Sequence, residues 1–104
     1  MSKAYKRGRD FEYLVKRRLE GCGFFVIRSA GSHSPVDLVA VRVCDGGCEV
    51  AKEIRCEVRG GVCVLGVQCK RGGEVTRFEE ERLREVAKFG MKGVIATPKG
   101  LRGV

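Results

Sequence analysis

Asp37, Gln68 and Lys70 share a pattern suited to phosphodiester chemistry. Asp37 is the only charge between Arg28 and Arg42, set among Val36, Leu38, Val39, Ala40 and Val41. A carboxylate among apolar neighbours needs a partner or a metal ion, because an unpaired charge away from water is costly. Gln68 and Lys70 are two apart near the end of a run that reads as a strand, so a period of two turns both to one face. A carboxylate, a second oxygen ligand and a lysine on neighbouring strands suit metal-assisted hydrolysis. The oxygens hold Mg²⁺, the metal polarises phosphate and activates water, and the lysine offsets developing negative charge. Taken alone, an Asp and a distant x-x-Lys are a weak signal, because surface Asp and Lys are common.

The elements that must position these residues follow from periodicity and turn chemistry. Residues 4–21 read as a helix, with Phe11, Leu14, Val15 and Leu19 at helical spacing and Gly21 and Gly23 at its end. Phe24 to Arg28 reads as a short strand, and Ser29 to Pro35 as a polar loop. Val36 to Val43 is apolar nearly throughout, the mark of a central strand that begins at Asp37. Asp45-Gly46-Gly47 reads as a turn. Residues 48–59 alternate through Cys48, Val50, Ile54, Cys56 and Val58 as a strand, interrupted at Lys52, and Gly60-Gly61 is a hairpin signal. Val62 to Lys70 is a further strand. Residues 76–89 read as a second helix, capped by Thr76 with Glu79 as capping-box partner and buried through Phe78, Leu83, Val86 and Phe89. Val94 to Thr97 forms a last strand closed by Pro98, so the expected order is α-β-β-β-β-α-β in one domain spanning 1–104.

Composition narrows the partners. The 104 residues carry a formal net charge of +8, which favours a polyanion such as nucleic acid, although a basic solvated helix face is the plainer reading. Within residues 1–18, Lys3, Lys6, Arg7, Arg9, Lys16, Arg17 and Arg18 stand against only Asp10 and Glu12. No apolar run reaches the roughly 20 residues that span a bilayer, and no apolar signal core follows the basic start, so a cytoplasmic protein without a membrane partner is expected. Absence of Asn and Trp, a single Gln and dense charge of both signs resemble a thermophile's composition. In that setting Cys44 and Cys48, flanking the expected turn, could form a disulfide or remain separate thiols, and Cys44, Cys48, Cys56 and Cys63 could bind zinc. No P-loop, dinucleotide fingerprint or Ser-His-Asp set is present.

Several runs together resemble the archaeal Holliday-junction resolvases, members of the PD-(D/E)XK nuclease superfamily. They are Gly8-x3-Glu12; Gly23-Phe24-x-Val26-x-Arg28-Ser29-Ala30-Gly31-Ser32; Val36-Asp37-Leu38-Val39-Ala40; and Gly61-Val62-x4-Val67-Gln68-Cys69-Lys70. Arg82-Leu83 and Phe89-Gly90 before an apolar strand continue the match, which covers about residues 6–97. The resemblance implies an α/β fold of restriction-endonuclease type, a central mixed sheet flanked by two helices. It also implies a homodimeric, Mg²⁺-dependent endonuclease (Mn²⁺ substituting) that nicks four-way DNA junctions in recombination and repair. Carried over by position, Glu12, Asp37, Gln68 and the Cys69 carbonyl would hold metal, and Lys70 would be the catalytic lysine. Arg28, Ser29 and Ser32 match the loop at the scissile phosphate, Ser32 with a catalytic part, while Lys6, Arg7 and Arg9 join Arg28 and Ser29 in binding DNA.

The chain departs from the family at Gln68, where Glu is usual, and in the longer interval between Asp37 and Gln68, which implies a hairpin insertion over 44–61. The Gln leaves open a protein of this fold that binds junction or duplex DNA without cutting it, or a restriction- or repair-type nuclease with another DNA substrate. Glu12 could instead pair with Lys16, His33 could be an inert exposed residue, and Glu79, Glu80 and Glu81 read as a solvated helix face.

Overall fold

The computed structural model describes residues 3–29, 34–43, 49–54 and 61–104, with the backbone alone for 3–7 and Ala51. Helix α1 spans Lys3–Gly21. Its buried line is Phe11, Val15 and Leu19, four apart, so one stripe faces the sheet. Leu14, expected in that stripe, lies a quarter-turn away and is 60% exposed. Gly23, at φ 92°, turns the chain out of the helix into β1 (Phe25–Arg28).

Strands β1, β2 (Leu38–Val43), β3 (Val62–Cys69), β4 (Lys92–Thr97) and β5 (Gly100–Gly103) form one sheet in sequence order. Only β3 and β4 run parallel. That pair needs a crossover, supplied by α3 (Arg77–Arg84) and a 3₁₀ turn over Glu85–Phe89. The result is an α/β fold with a five-stranded mixed sheet and one main helix on each face. Alternation along the strands divides the core. Leu38, Ala40, Leu65, Val67, Val94 and Ala96 join α1 on one side. Ile95 and Val36 join Leu83 and Val86 on the other.

Three expectations need correction. Within 48–59, read as an alternating strand, Glu49–Glu53 is a short helix, α2. Val50 and Ile54 are four apart, Ile54 N–H donates to the Val50 carbonyl at 3.0 Å, and both side chains are buried beside α1. The apolar residues that suggested period two also satisfy a helical turn, and Lys52 marks where the alternation fails. Second, Phe78 and Phe89 are 67% and 71% exposed, so the buried residues of this crossover are Leu83 in α3 and Val86 in the 3₁₀ turn. Third, the chain does not end its sheet at Pro98. Thr97-Pro98-Lys99-Gly100 carries Pro second and Gly fourth, a β-turn pattern, and β5 folds back antiparallel onto β4. Gly100 has φ 132°, and a Cβ there would meet Glu53 Oε1 at 2.5 Å. Glu53 accepts the Leu101 N–H at 2.8 Å and pairs with Arg18, fastening α2 to β5 and α1.

The expected turn at 45–47, any pairing of Cys44 with Cys48, and three of the four cysteines of a zinc site lie outside the described residues. Cys22 and Cys69 are free thiols, and Cys63 is buried in the core. Among the described residues, no helix is long and apolar enough to cross a membrane.

Candidate active site

Asp37 sits immediately before β2 and is held there by its backbone. Its N–H donates to the Val67 carbonyl at 2.7 Å, and its own carbonyl accepts the Ser29 N–H at 2.8 Å. The chain is thus pinned between β3 and the end of β1. The side chain is braced as well, because Cys69 N–H donates to Oδ2 at 2.8 Å. Leu38 pairs with Val67 in the register, which brings Asp37 level with Gln68 and Cys69 at the end of β3.

α1 crosses the same end of the sheet. Gly8, Arg9 and Glu12 from α1 close a cleft of about 300 Å³ with Asp37, Gln68, Cys69 and Lys70. Glu12 does not pair with Lys16, which bonds Glu20 instead. Its Oε2 accepts from Arg28 at 3.2 Å, and the Arg28 guanidinium also lies 5.3 Å from the centre of the Tyr13 ring. Arg28 is therefore engaged with α1 at the rim of the cleft. The side chains of Lys6 and Arg7, and the whole of Ser32 and His33, lie outside the described residues.

Glu79 is the residue that sequence reasoning missed. Its Oε2 accepts from Gln68 Nε2 at 3.1 Å and also binds Lys70 Nζ. It reaches them because α3 rides close on the sheet: a Cβ on Gly93 would come within 3.1 Å of the Leu83 carbonyl. The capping box, with Thr76 Oγ1 accepting from Glu79 N–H at 3.1 Å and Thr76 N–H donating back to Glu79 Oε1 at 3.3 Å, fixes the first turn. A signal was present. A helix that starts a crossover from β3 begins near the end of β3, and the third residue of its first turn lies on that side.

The electrostatics follow from this packing. Burial pushes the Asp37 carboxyl above its ordinary range, against the Cys69 N–H, Lys70 and Arg28. Burial and the nearby Asp37 charge raise Glu12 despite Arg28. Glu79 lies below the usual carboxylate range, chiefly through the hydrogen bond from Lys70. The Cys69 thiol is pushed well up by burial, Asp37 and Glu12, so it stays neutral and is a poor metal ligand through sulfur.

The donor set fits a hard divalent cation. Gln68 Oε1 is buried and has no hydrogen-bond partner, and the raised Asp37 and Glu12 carboxyls would both be eased by a positive ion between them. Among the described residues, no group of three or more His, Cys, Asp and Glu side chains is placed to hold a metal. A cation here would rely on two carboxylates and an amide oxygen. A larger hollow of about 460 Å³, between α1 and the β4–β5 turn, is lined largely by Phe11, Leu14, Val15, Pro98 and Leu101, with Arg17 and Arg18 but no carboxylate, histidine or thiol. Compared with known protein families and with curated proteins, the chain matches none.

Proposed function

We propose that this chain is a metal-dependent endodeoxyribonuclease of the PD-(D/E)XK fold that resolves four-way DNA junctions in the cytoplasm. The observation that carries this reading is the convergence of Glu12, Asp37, Gln68 and Lys70 on one cleft at the end of β2 and β3. Glu12, Asp37, the Gln68 amide oxygen and the Cys69 carbonyl would hold Mg²⁺ or Mn²⁺. The bound ion would polarise the scissile phosphate and lower the pKa of water. The chain's own residues do the rest. Arg9 borders the cleft beside Glu12, where a phosphate would lie. Lys70 lines the same cleft and, once drawn from Glu79, would offset negative charge on that phosphate. Lys6, Arg7 and Arg28, with Ser29 and Ser32, are the further residues that would contact DNA, and the charge of +8 favours such a partner.

A homodimer fits this function, because a two-fold axis supplies two equivalent sites for paired nicks. The far side of β1–β2–β3 offers a surface for it. The rows Phe25–Val41–Val64, Ile27–Val39–Gly66 and Val43–Val62 hold no charged or polar side chain, in a chain that is 33% charged. Phe25, Ile27, Val43 and Val62 are 68%, 54%, 73% and 60% exposed. For residues of this size that leaves on the order of 500 Å² of open apolar area. This is close to the apolar share, about two-thirds, of the ~800 Å² that each partner of a stable dimer buries. Among the described residues, these rows set no like charges against a second copy and offer no cation to a polyanion.

A binding-only protein is the second reading, favoured by the Glu79 carboxylate that occupies both Gln68 and Lys70. The deciding experiment is incubation of a labelled four-way junction and a linear duplex with the protein and Mg²⁺ or Mn²⁺. Paired nicks in the junction alone support the resolvase. Cutting of both substrates points to another nuclease of the fold, and tight binding without cutting to the second reading.

A further inference from the structure

We infer that Glu79 is a positioning residue of this site: it turns the Gln68 carboxamide so that its oxygen is presented as a ligand for a divalent cation, and it brings to that arm of the cleft the negative charge that Gln68 lacks. The inference rests on the metal-site reading above and concerns how a neutral side chain can serve there.

A carboxylate only accepts hydrogen bonds, so the atom of Gln68 that meets Glu79 Oε2 at 3.1 Å must be the amide nitrogen. The other end of the amide is thereby fixed, and Oε1 is left buried with no partner. A buried acceptor without a partner is costly, a cost that a bound cation would remove. Glu79 cannot swing freely to release the amide. Its Oε1 accepts from the Thr76 N–H while its own N–H is bonded to Thr76 Oγ1, so the capping box of α3 holds it from behind. The same Oε2 takes the Lys70 ammonium. Gln68, Glu79 and Lys70 are thus one hydrogen-bonded unit in which helix α3 supplies the acid and strand β3 supplies the neutral oxygen. A carboxylate at position 68 would face Glu79 directly and repel it. The Gln on β3 and the Glu on α3 complement each other.

The sequence offers a direct probe. It contains one Gln and no Asn, so the proton–nitrogen correlation spectrum of isotope-labelled protein holds a single side-chain carboxamide pair, that of Gln68. In the wild type the two protons of this pair are expected to be well separated and slow to exchange, because one is bonded to Glu79. The variant to compare is Glu79→Asp, which keeps the charge and an acidic first turn but is one methylene too short. Its backbone spectrum reports whether the fold is kept. The carboxamide pair should collapse toward the shifts of a free amide. Titration with Mg²⁺ should shift the pair in the wild type to saturation, with an apparent Kd roughly tenfold higher in Glu79→Asp, the scale on which loss of a ligand's supporting partner acts. Gln68 shifts unchanged by Glu79→Asp, or equal Mg²⁺ affinities in the two proteins, would overturn the inference. So would a wild-type pair that ignores Mg²⁺. If Mg²⁺ binds as expected while four-way junctions stay uncut, the inference stands and the nuclease reading fails.

Discussion

Cys69 N–H donates to Asp37 Oδ2 at 2.8 Å, so the carboxylate ahead of β2 is oriented by the backbone at the end of β3. This bond lowers the Asp37 pKa, but burial outweighs it and leaves the carboxyl raised. Asp37 is held in place at some cost to the folded state.

The first prediction is that Asp37→Asn abolishes cleavage yet stabilises the metal-free protein. A carboxyl raised in the folded state contributes stability below its unfolded pKa and loses it as pH rises through the folded value. Glu12 acts in the same sense, whereas lowered Glu79 adds stability that is lost only as pH falls through its folded value. At neutral pH the amide should therefore gain about 1 kcal/mol, as is common when a strained functional group is relieved, or a Tm higher by roughly 4–8 °C. Thermal unfolding in chelator from pH 4 to 8 checks this. The gain should grow with pH, and junction binding should persist because it rests on phosphate contacts. A variant that cuts at the wild-type rate would remove Asp37 from the site.

Gln68→Glu sets a second carboxylate against Glu79 Oε2, where the amide nitrogen now lies at 3.1 Å. The variant should unfold at a lower temperature in chelator and show a larger Mg²⁺-dependent rise in Tm than the wild type. The Mg²⁺ concentration for half-maximal nicking should fall, because the added charge sits beside the ion. Parallel melting and nicking titrations measure both, and identical behaviour of the two proteins would mean that position 68 does not face a cation.

Arg9 lines the cleft one turn before Glu12. Neutralising Arg7 and Arg9 together should weaken junction binding and reduce the log–log slope of affinity against salt by about one unit for each phosphate that the variant no longer neutralises. An unchanged slope would move the DNA interface away from α1.

Ile27 is 54% exposed at the middle of the uncharged face of β1–β2–β3, opposite Val39. Ile27→Lys should convert a dimer to a monomer in sedimentation at micromolar concentration, with little effect on folding, because the side chain already meets solvent in the single chain. A wild type that sediments as a monomer in the presence of junction would argue against the dimer itself.

Much of this was legible in the sequence because it is local. Helical spacing located α1, the Thr76–Glu79 capping box located the start of α3, and period two put Gln68 and Lys70 on one side of β3, where both meet Glu79. The lone carboxylate in an apolar run marked Asp37 before any neighbour was known. Spacing could not separate strand from helix over 48–59, since Val50 and Ile54 fit either pattern in so short a run, and packing against α1 and β5 decided for the helix. Nor could it find β5, whose four residues gain order by pairing with β4 and by the bond from Leu101 N–H to Glu53. The partners of the charged groups were the least visible. Glu12 chose Arg28 over Lys16, and Glu79 bonds Gln68 and Lys70 of the cleft rather than standing on a solvated face. Both choices join residues from different elements. The crossing of α1 over the end of β1, and the close ride of α3 on Gly93, set those distances, and a single chain read in order carries no record of them.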